Sequence, residues 1–351
     1  MRVLLLGGTG AMGSHLATLL ANDGVEVAIT SRTRSGESRK VRYLRGNAHD
    51  KNFLAEVLSE PWDAIVDFMV YNTPAFAARV QLLLESTAQY LFISSARVYA
   101  DSATLITEDS PRLLDISSDK GFLATDEYAL TKARQENILL ASGRNNWTII
   151  RPYITYGEER LQLGVLEKEG WLYRAMKGRT IVFSTDIAEK KTTLTYGLDV
   201  SQGIRAVIGQ ASALGEAFHI TADHSLTWGK ALSVYMDVLE EYSGRRPKVI
   251  LRSMKEFEKT HSAQYQVRYD RLFNRVFDNK KIGRYVATSS FTEPEAGLRK
   301  CLKAFLAAPN FNNVGWRVEA RKDKQTGESS LRDVSSMKGK IKYLLCRYIL
   351  R

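Results

Sequence analysis

Residues 2 to 13 constrain this chain more than any other stretch. Arg2 to Leu6 is a short apolar run that leads directly into Gly7-Gly8-Thr9-Gly10-Ala11-Met12-Gly13, and the helical pattern of His15 to Asn22 follows. Strand, glycine turn and helix in that order form the unit that holds a pyrophosphate at a helix N-terminus, where backbone N–H groups and the helix dipole both favour negative charge. The spacing is G-x-x-G-x-x-G, not G-x-G-x-x-G, but the mechanics are shared: without Cβ atoms the backbone can approach phosphate oxygens closely.

What comes next repeats the same alternation. Val25 to Thr30 reads as a second strand ending at Ser31-Arg32-Thr33-Arg34. An acid at this end would bind the adenosine ribose hydroxyls, whereas an arginine pairs with a 2'-phosphate. There is no acid, so Ser31 and Arg32 point to NADP over NAD; the plainer reading is a solvated basic loop. Val41 to Arg45 is a third strand, followed by Gly46-Asn47 and a helix through Leu58, with Asn47 placed for an adenine edge. Asp63 to Val70 is nearly continuously apolar, as a strand covered on both faces must be. A helix over Ala75 to Ser86 and strands at Tyr90 to Ser94 and Asn146 to Ile150 complete the series. Strand–helix units of this length predict an α/β fold, a Rossmann-type doubly wound parallel sheet.

Within Thr125 to Ser142, Tyr128 and Lys132 stand four residues apart, on one face of a predicted helix and one turn from each other. An ammonium beside a phenol favours the phenolate, so a group with a reference pKa of about 10 can exchange a proton nearer neutrality. The glycine turn, Ser95 in Ser94-Ser95-x-x-Val98-Tyr99, Tyr128-x-x-x-Lys132, and Arg151-Pro152 followed by Tyr156-Gly157 together resemble the extended short-chain dehydrogenase/reductase family, over about residues 1 to 225. The resemblance implies catalytic roles for Ser95, Tyr128 and Lys132. It also implies cofactor contacts from Gly7, Thr9, Gly10, Met12, Gly13, Ser31, Arg32, Asn47, Phe68, Lys132 and Pro152, with no metal. Tyr99 belongs to the motif as packing or pocket wall.

Departures from the family pattern bear on subtype. Sugar-nucleotide dehydratases follow the catalytic hydroxyl with an Asp-Glu pair, but Ser95 is followed by Ala96-Arg97. Ile154 replaces an asparagine common in epimerases. The arginine expected before Asp199-Val200 is absent, leaving Lys190 or Lys191 for a substrate phosphate. What the resemblance then implies is NADPH-dependent reduction of the 4-keto group of a nucleotide-linked deoxysugar, of the dTDP-4-keto-6-deoxyglucose type. The alternatives are a 4-epimerase that retains NAD and, from another class, an RNA-binding relative without catalysis. A homodimer through the Tyr128 helix is implied by the resemblance alone.

The expected organisation is a dinucleotide domain over 1–157, its sheet completed by strands from about 180–220. A substrate lobe over 158–310 and a basic tail over 311–351 follow. Leu163 to Lys177 reads as a helix in which Trp171 and Tyr173 are core residues or base-stacking ones, and Thr180 to Phe183 as a strand. Tyr265 to Asp278 is a lid over a phosphate or a solvated helix, and His219 and His224 read as structural. Arg321 to Ser336 reads as a mobile linker. The terminal helix has Ile341, Leu344, Leu345 and Tyr348 on one stripe among cations, suited to its own protein, a second subunit or an anionic membrane.

The net charge of +11 is uneven, since Leu226 to Arg351 holds 26 Lys and Arg against 13 Asp and Glu. That excess fits a phosphate-bearing ligand or a solvated face better than nucleic acid, for which no reading motif is present. Cys301 and Cys346 are too few for a disulfide framework, and no apolar window is long enough to span a bilayer. A cytoplasmic protein is expected.

Overall fold

Val3, Leu4, Leu5 and Leu6 are all fully buried, and alternate side chains feed two different clusters: Val3 and Leu5 one, Leu4 and Leu6 the other. A strand buried on both faces must lie in the middle of a covered sheet. In the computed structural model, which describes every residue except Arg39, Ser262, Leu350 and Arg351, that strand is β1 (Arg2–Leu6).

It is flanked on one side by β2 (Glu26–Ser31), β4 (Val41–Arg45) and β3 (Gly36–Ser38). On the other side lie β5 (Trp62–Asp67), β6 (Thr87–Ile93), β7 (Trp147–Pro152) and, at the edge, Glu216–Ile220. All pairings are parallel except that of β3 with β4, an edge hairpin that no periodicity announced. The order reverses at β1, so the carboxyl ends of β1 and β5 form the switch point where ligands bind in such sheets.

This first unit comprises 1–155, 193–224 and 276–293. Helix α1 (Gly13–Asn22) buries Leu16, Ala17, Leu20 and Ala21 with the Val3 cluster, and α2 (Lys51–Leu58) is capped by Asp50, which accepts from the N–H groups of Asn52 and Phe53. The helix expected over Ala75 to Ser86 is two short ones, Thr73–Ala77 and Val80–Glu85, broken at Ala78 and Arg79.

The second unit comprises 156–192, 225–275 and 294–351. It is built on helices Lys168–Met176, Trp228–Ser243, Pro294–Ala307 and Trp316–Thr326. Trp171 is fully buried and stacked on Tyr235 at 4.5 Å between centroids, a core residue and not a base platform.

Three expectations fail here. The helix read from Leu163 begins only at Lys168, because Gly164 at φ +59° turns the chain and Leu163 and Leu166 exchange backbone hydrogen bonds. The strand at Ile181–Ser184 does not join the large sheet; it pairs with Val249–Arg252. The linker expected over Arg321 to Ser336 is partly the Trp316–Thr326 helix, with Lys322 and Asp323 fully buried. The reason is Arg174, itself fully buried, whose guanidinium donates to Glu319 at 2.7 Å, Asp323 at 2.8 Å and Glu328 at 3.0 Å. Charges that read as solvated satisfy one another inside.

Candidate functional site

The three spaced glycines do different things. Gly7, at φ +68°, adopts the left-handed conformation that glycine takes without strain, and its N–H donates to Thr30 Oγ1 at 2.9 Å. A methyl group at Gly13 would lie 2.4 Å from the Gly8 oxygen and 2.5 Å from Gly8 Cα, so this glycine lets α1 press onto the turn. A methyl at Gly10 would meet nothing within 4 Å. Gly10 therefore keeps open space clear, which is the provision a bound phosphate needs.

Beside the turn is a cleft of about 270 Å³ whose walls include Gly7, Thr9, Ser31, Arg32, Asn47 and Met69. Five of these are cofactor residues expected from sequence. Ser31 Oγ accepts from the Arg34 N–H at 3.1 Å, and Asn47 Oδ1 accepts from the His49 N–H at 3.1 Å; each pins its own loop. Arg32 is exposed, and no carboxylate stands at this end of β2. The Met12 carbonyl accepts from Ser201 Oγ at 2.8 Å, which ties the start of α1 to the helix Gly197–Val207. Phe68 follows β5, its N–H donating to the Leu6 carbonyl at 2.9 Å, and Pro152 is buried at the end of β7.

The candidate catalytic residues lie in the same unit. Tyr128 is the first residue of the helix Tyr128–Leu140, with Glu127 as its cap, and is about a third exposed. One turn on, Lys132 is 2 % exposed; its Nζ donates to the Ile93 carbonyl at 2.8 Å and lies 5.9 Å from the centre of the Tyr128 ring. Burial pushes the Lys132 ammonium down to about 8, against the opposing pull of Asp67 and Glu136. Ser95, just beyond β6, accepts from the Arg97 N–H at 3.2 Å, a bond that leaves its own hydroxyl hydrogen uncommitted. The guanidinium of Arg97 lies 5.3 Å from the Tyr128 ring centre and pairs with Glu127. Two cations thus face one phenol.

Sequence reasoning missed the groups beneath. Glu136, fully buried one turn past Lys132, accepts from Ser94 Oγ at 2.6 Å and from Nε and Nη2 of Arg151, each at 2.9 Å. This clamp fixes the Tyr128 helix against the ends of β6 and β7. Its spacing from Lys132 was the signal available. Asp67, at the end of β5, is fully buried and accepts from Tyr90 Oη at 2.8 Å and the Met69 N–H at 2.9 Å; burial raises its carboxyl above the ordinary range. A carboxylate closing the apolar run Ala64-Ile65-Val66 was its only mark. Tyr99 is fully buried, accepts from Arg151 at 3.0 Å, and is raised by burial, so it packs. His219 is fully buried beside it, and among the described residues no group of three or more His, Cys, Asp or Glu could hold a metal ion.

The helix Tyr128–Leu140 is largely covered within its own chain: eight of its residues are buried, and Arg112 reaches across it to Glu136 and Asn137. A homodimer through this helix would have Asn137, Leu140 and Tyr128 to build on.

The profile of the NAD dependent epimerase/dehydratase family matches residues 3–220. The chloroplast stem-loop binding protein of 41 kDa b from Arabidopsis thaliana is 27% identical over 65% of this chain, which spans 60% of that relative's length. A UDP-N-acetyl-alpha-D-glucosaminuronate decarboxylase from Bacillus cytotoxicus is 23% identical, covering 73% of this chain and 92% of that one. Among solved structures, UDP-glucuronic acid 4-epimerase from Bacillus cereus, in complex with UDP-glucuronic acid and NAD, superposes with a TM-score of 0.63 at 18% identity, over 86% of this chain and 99% of that one. At that identity the likeness concerns the fold.

Proposed function

Because the chain belongs to the NAD dependent epimerase/dehydratase family, we propose that it moves a hydride between a nicotinamide dinucleotide and a carbon of a nucleotide-linked sugar. The observation that carries this reading is the placement of Ser95, Tyr128 and buried Lys132 in the same unit as the glycine turn, with Lys132 fixed by the Ile93 carbonyl.

The residues present fit a dinucleotide, since the clear space at Gly10 and the adjoining cleft are where its phosphates and adenosine would lie. Gly7, Thr9, Gly10, Met12 and Gly13 would hold the pyrophosphate, Ser31, Arg32 and Asn47 the adenosine end, and Phe68, Lys132 and Pro152 the nicotinamide end. When bound, that group supplies or accepts the hydride. Ser95 donates its hydroxyl hydrogen to the substrate oxygen and orients it. Tyr128 gives its proton to that oxygen as negative charge develops, and Lys132 with Arg97 stabilises the phenolate left behind. The second unit is assigned the nucleotide-sugar.

Two net outcomes use this machinery. Reduction of a 4-keto group on a deoxysugar with NADPH is supported by Ser31 and Arg32 at the end of β2, with no acid there. Inversion at C4 with NAD retained is supported by the 4-epimerases among the relatives. Arg97, standing where a dehydratase carries an acid, argues against elimination. The test is to mix the protein with NADPH or NADH and a panel of nucleotide 4-ketosugars, following cofactor absorbance. Stoichiometric loss of NADPH with the ketosugars supports reduction, and inversion at C4 of a nucleotide 4-hydroxy sugar such as UDP-glucose, with no net change in cofactor, establishes the epimerase. In the Tyr128→Phe variant turnover falls by about 10²–10⁴ while dinucleotide binding persists; full activity there ends the proposal. Salt-dependent RNA binding with no dinucleotide binding would instead place the chain with its stem-loop binding relative.

A further inference from the structure

Six of the fifteen large apolar side chains that stand exposed among the described residues fall between Met337 and Ile349: Met337, Ile341, Leu344, Leu345, Tyr348 and Ile349. They are carried by the helix Met337–Leu344 and the turns that continue it through Ile349. This is not a loose tail. Tyr343 is fully buried, its hydroxyl donating to Asp323 at 2.6 Å and accepting from the Ser330 N–H at 3.0 Å, and Cys346 packs beside it with Ala320 and Val334. Asp323 is in turn held by Arg174.

Tyr343 and Cys346 turn inward, while Ile341, Leu344, Leu345 and Tyr348, on the same helix and its π-helical continuation, stand exposed to solvent. Of the three occupants open to this stripe, its own protein is thereby excluded, since the stripe faces away from the core. Helices that turn apolar residues outward in water need an occupant.

Charge decides which occupant. From Val334 to the end there is no Asp or Glu, while Lys338, Lys340, Lys342, Arg347 and Arg351 are cationic. On the helical wheel Lys340 borders the stripe on one side and Lys338 and Lys342 on the other. Pairing two copies of this helix would bring cations against cations with no acid to meet them. RNA wants cations and stacking rings at the centre of its footprint, not aliphatic side chains. An apolar strip edged by lysines matches the acyl boundary of an anionic bilayer, where the strip enters and the lysines meet headgroup phosphates.

We propose that the outward face of the C-terminal helix docks this protein reversibly on an anionic phospholipid surface. Among the described residues no helix is long and apolar enough to cross a membrane, so attachment is peripheral.

The full chain is sedimented with vesicles of phosphatidylcholine alone or mixed with phosphatidylglycerol. Binding to the mixed vesicles is expected to exceed that to neutral ones by about tenfold and to weaken as salt is raised. The double variant Ile341→Ser, Leu345→Ser changes exposed positions only, so it should keep the parent melting temperature and lose about tenfold in vesicle binding. Lys338→Glu with Lys342→Glu should lose the preference for anionic lipid. Absence of binding, equal binding to both vesicle types, or undiminished binding by the serine variant overturns the proposal. So does a soluble dimer, seen by sedimentation velocity, that the serine variant abolishes, or capture of single-stranded RNA in place of vesicles.

Discussion

A methyl group added at Gly10 meets no atom of the chain, whereas one added at Gly13 overlaps the Gly8 backbone. The two substitutions therefore separate ligand room from packing. Gly10→Ala should melt like the parent and bind dinucleotide about tenfold more weakly or worse, because the methyl occupies the cleared space. Gly13→Ala should cost about 1–3 kcal/mol, because α1 must move away from the turn. Thermal melting and dinucleotide titration of both variants check this, and equal behaviour would contradict it. At this scale much was legible: the glycines, Ser95, Tyr128 and Lys132 stand at fixed local spacings, and spacing is what a sequence displays. Asp67 was not, because its shortest bond comes from Tyr90 on the neighbouring strand, 23 residues on. Nor was the approach of Arg97 to Tyr128, which depends on how the turn after β6 meets a helix 30 residues on.

The Tyr128 helix and the Trp316–Thr326 helix show what element-level patterns convey and what they conceal. The first was found because its chemistry sits one turn apart, although it is buried over most of its surface and has little amphipathic character. The second was read as a solvated linker because its charges dominate; burial of Glu319, Lys322 and Asp323 requires Arg174, about 150 residues earlier. A pattern confined to a short window cannot register a counter-charge that distant. Replacing Arg174 by Met leaves Glu319 and Asp323 inside without their main cation, which should destabilise the protein by about 3–5 kcal/mol. Urea unfolding measures this as a fall in midpoint at unchanged slope; a loss below 1 kcal/mol would show that water reaches the cluster.

For the whole molecule, acid is the sharper probe. Burial pushes both His219 and His261 down to about 4, from an ordinary 6.5. Between those values the folded chain binds fewer protons than the unfolded one, so stability should fall as pH drops through that window. Asp67 and Glu108, raised by burial, act in the opposite sense in acid. Comparing the protein with His219→Gln isolates the histidine: the variant's stability should fall less steeply between neutrality and about pH 5, by up to one proton's worth of slope. The parallel sheet was legible at this scale because its strands are short apolar runs in regular alternation with helices. The division into units was not, since the chain passes between them five times and no compositional break marks the crossings. One of those returns brings Glu216–Ile220 alongside β7, whose six residues are all buried. On the ribosome, β7 is therefore finished well before the strand that covers its flank exists. With about sixty residues still to be added between them, at about 5–20 residues per second, the nascent protein carries a bare, apolar, hydrogen-bonding edge for several seconds.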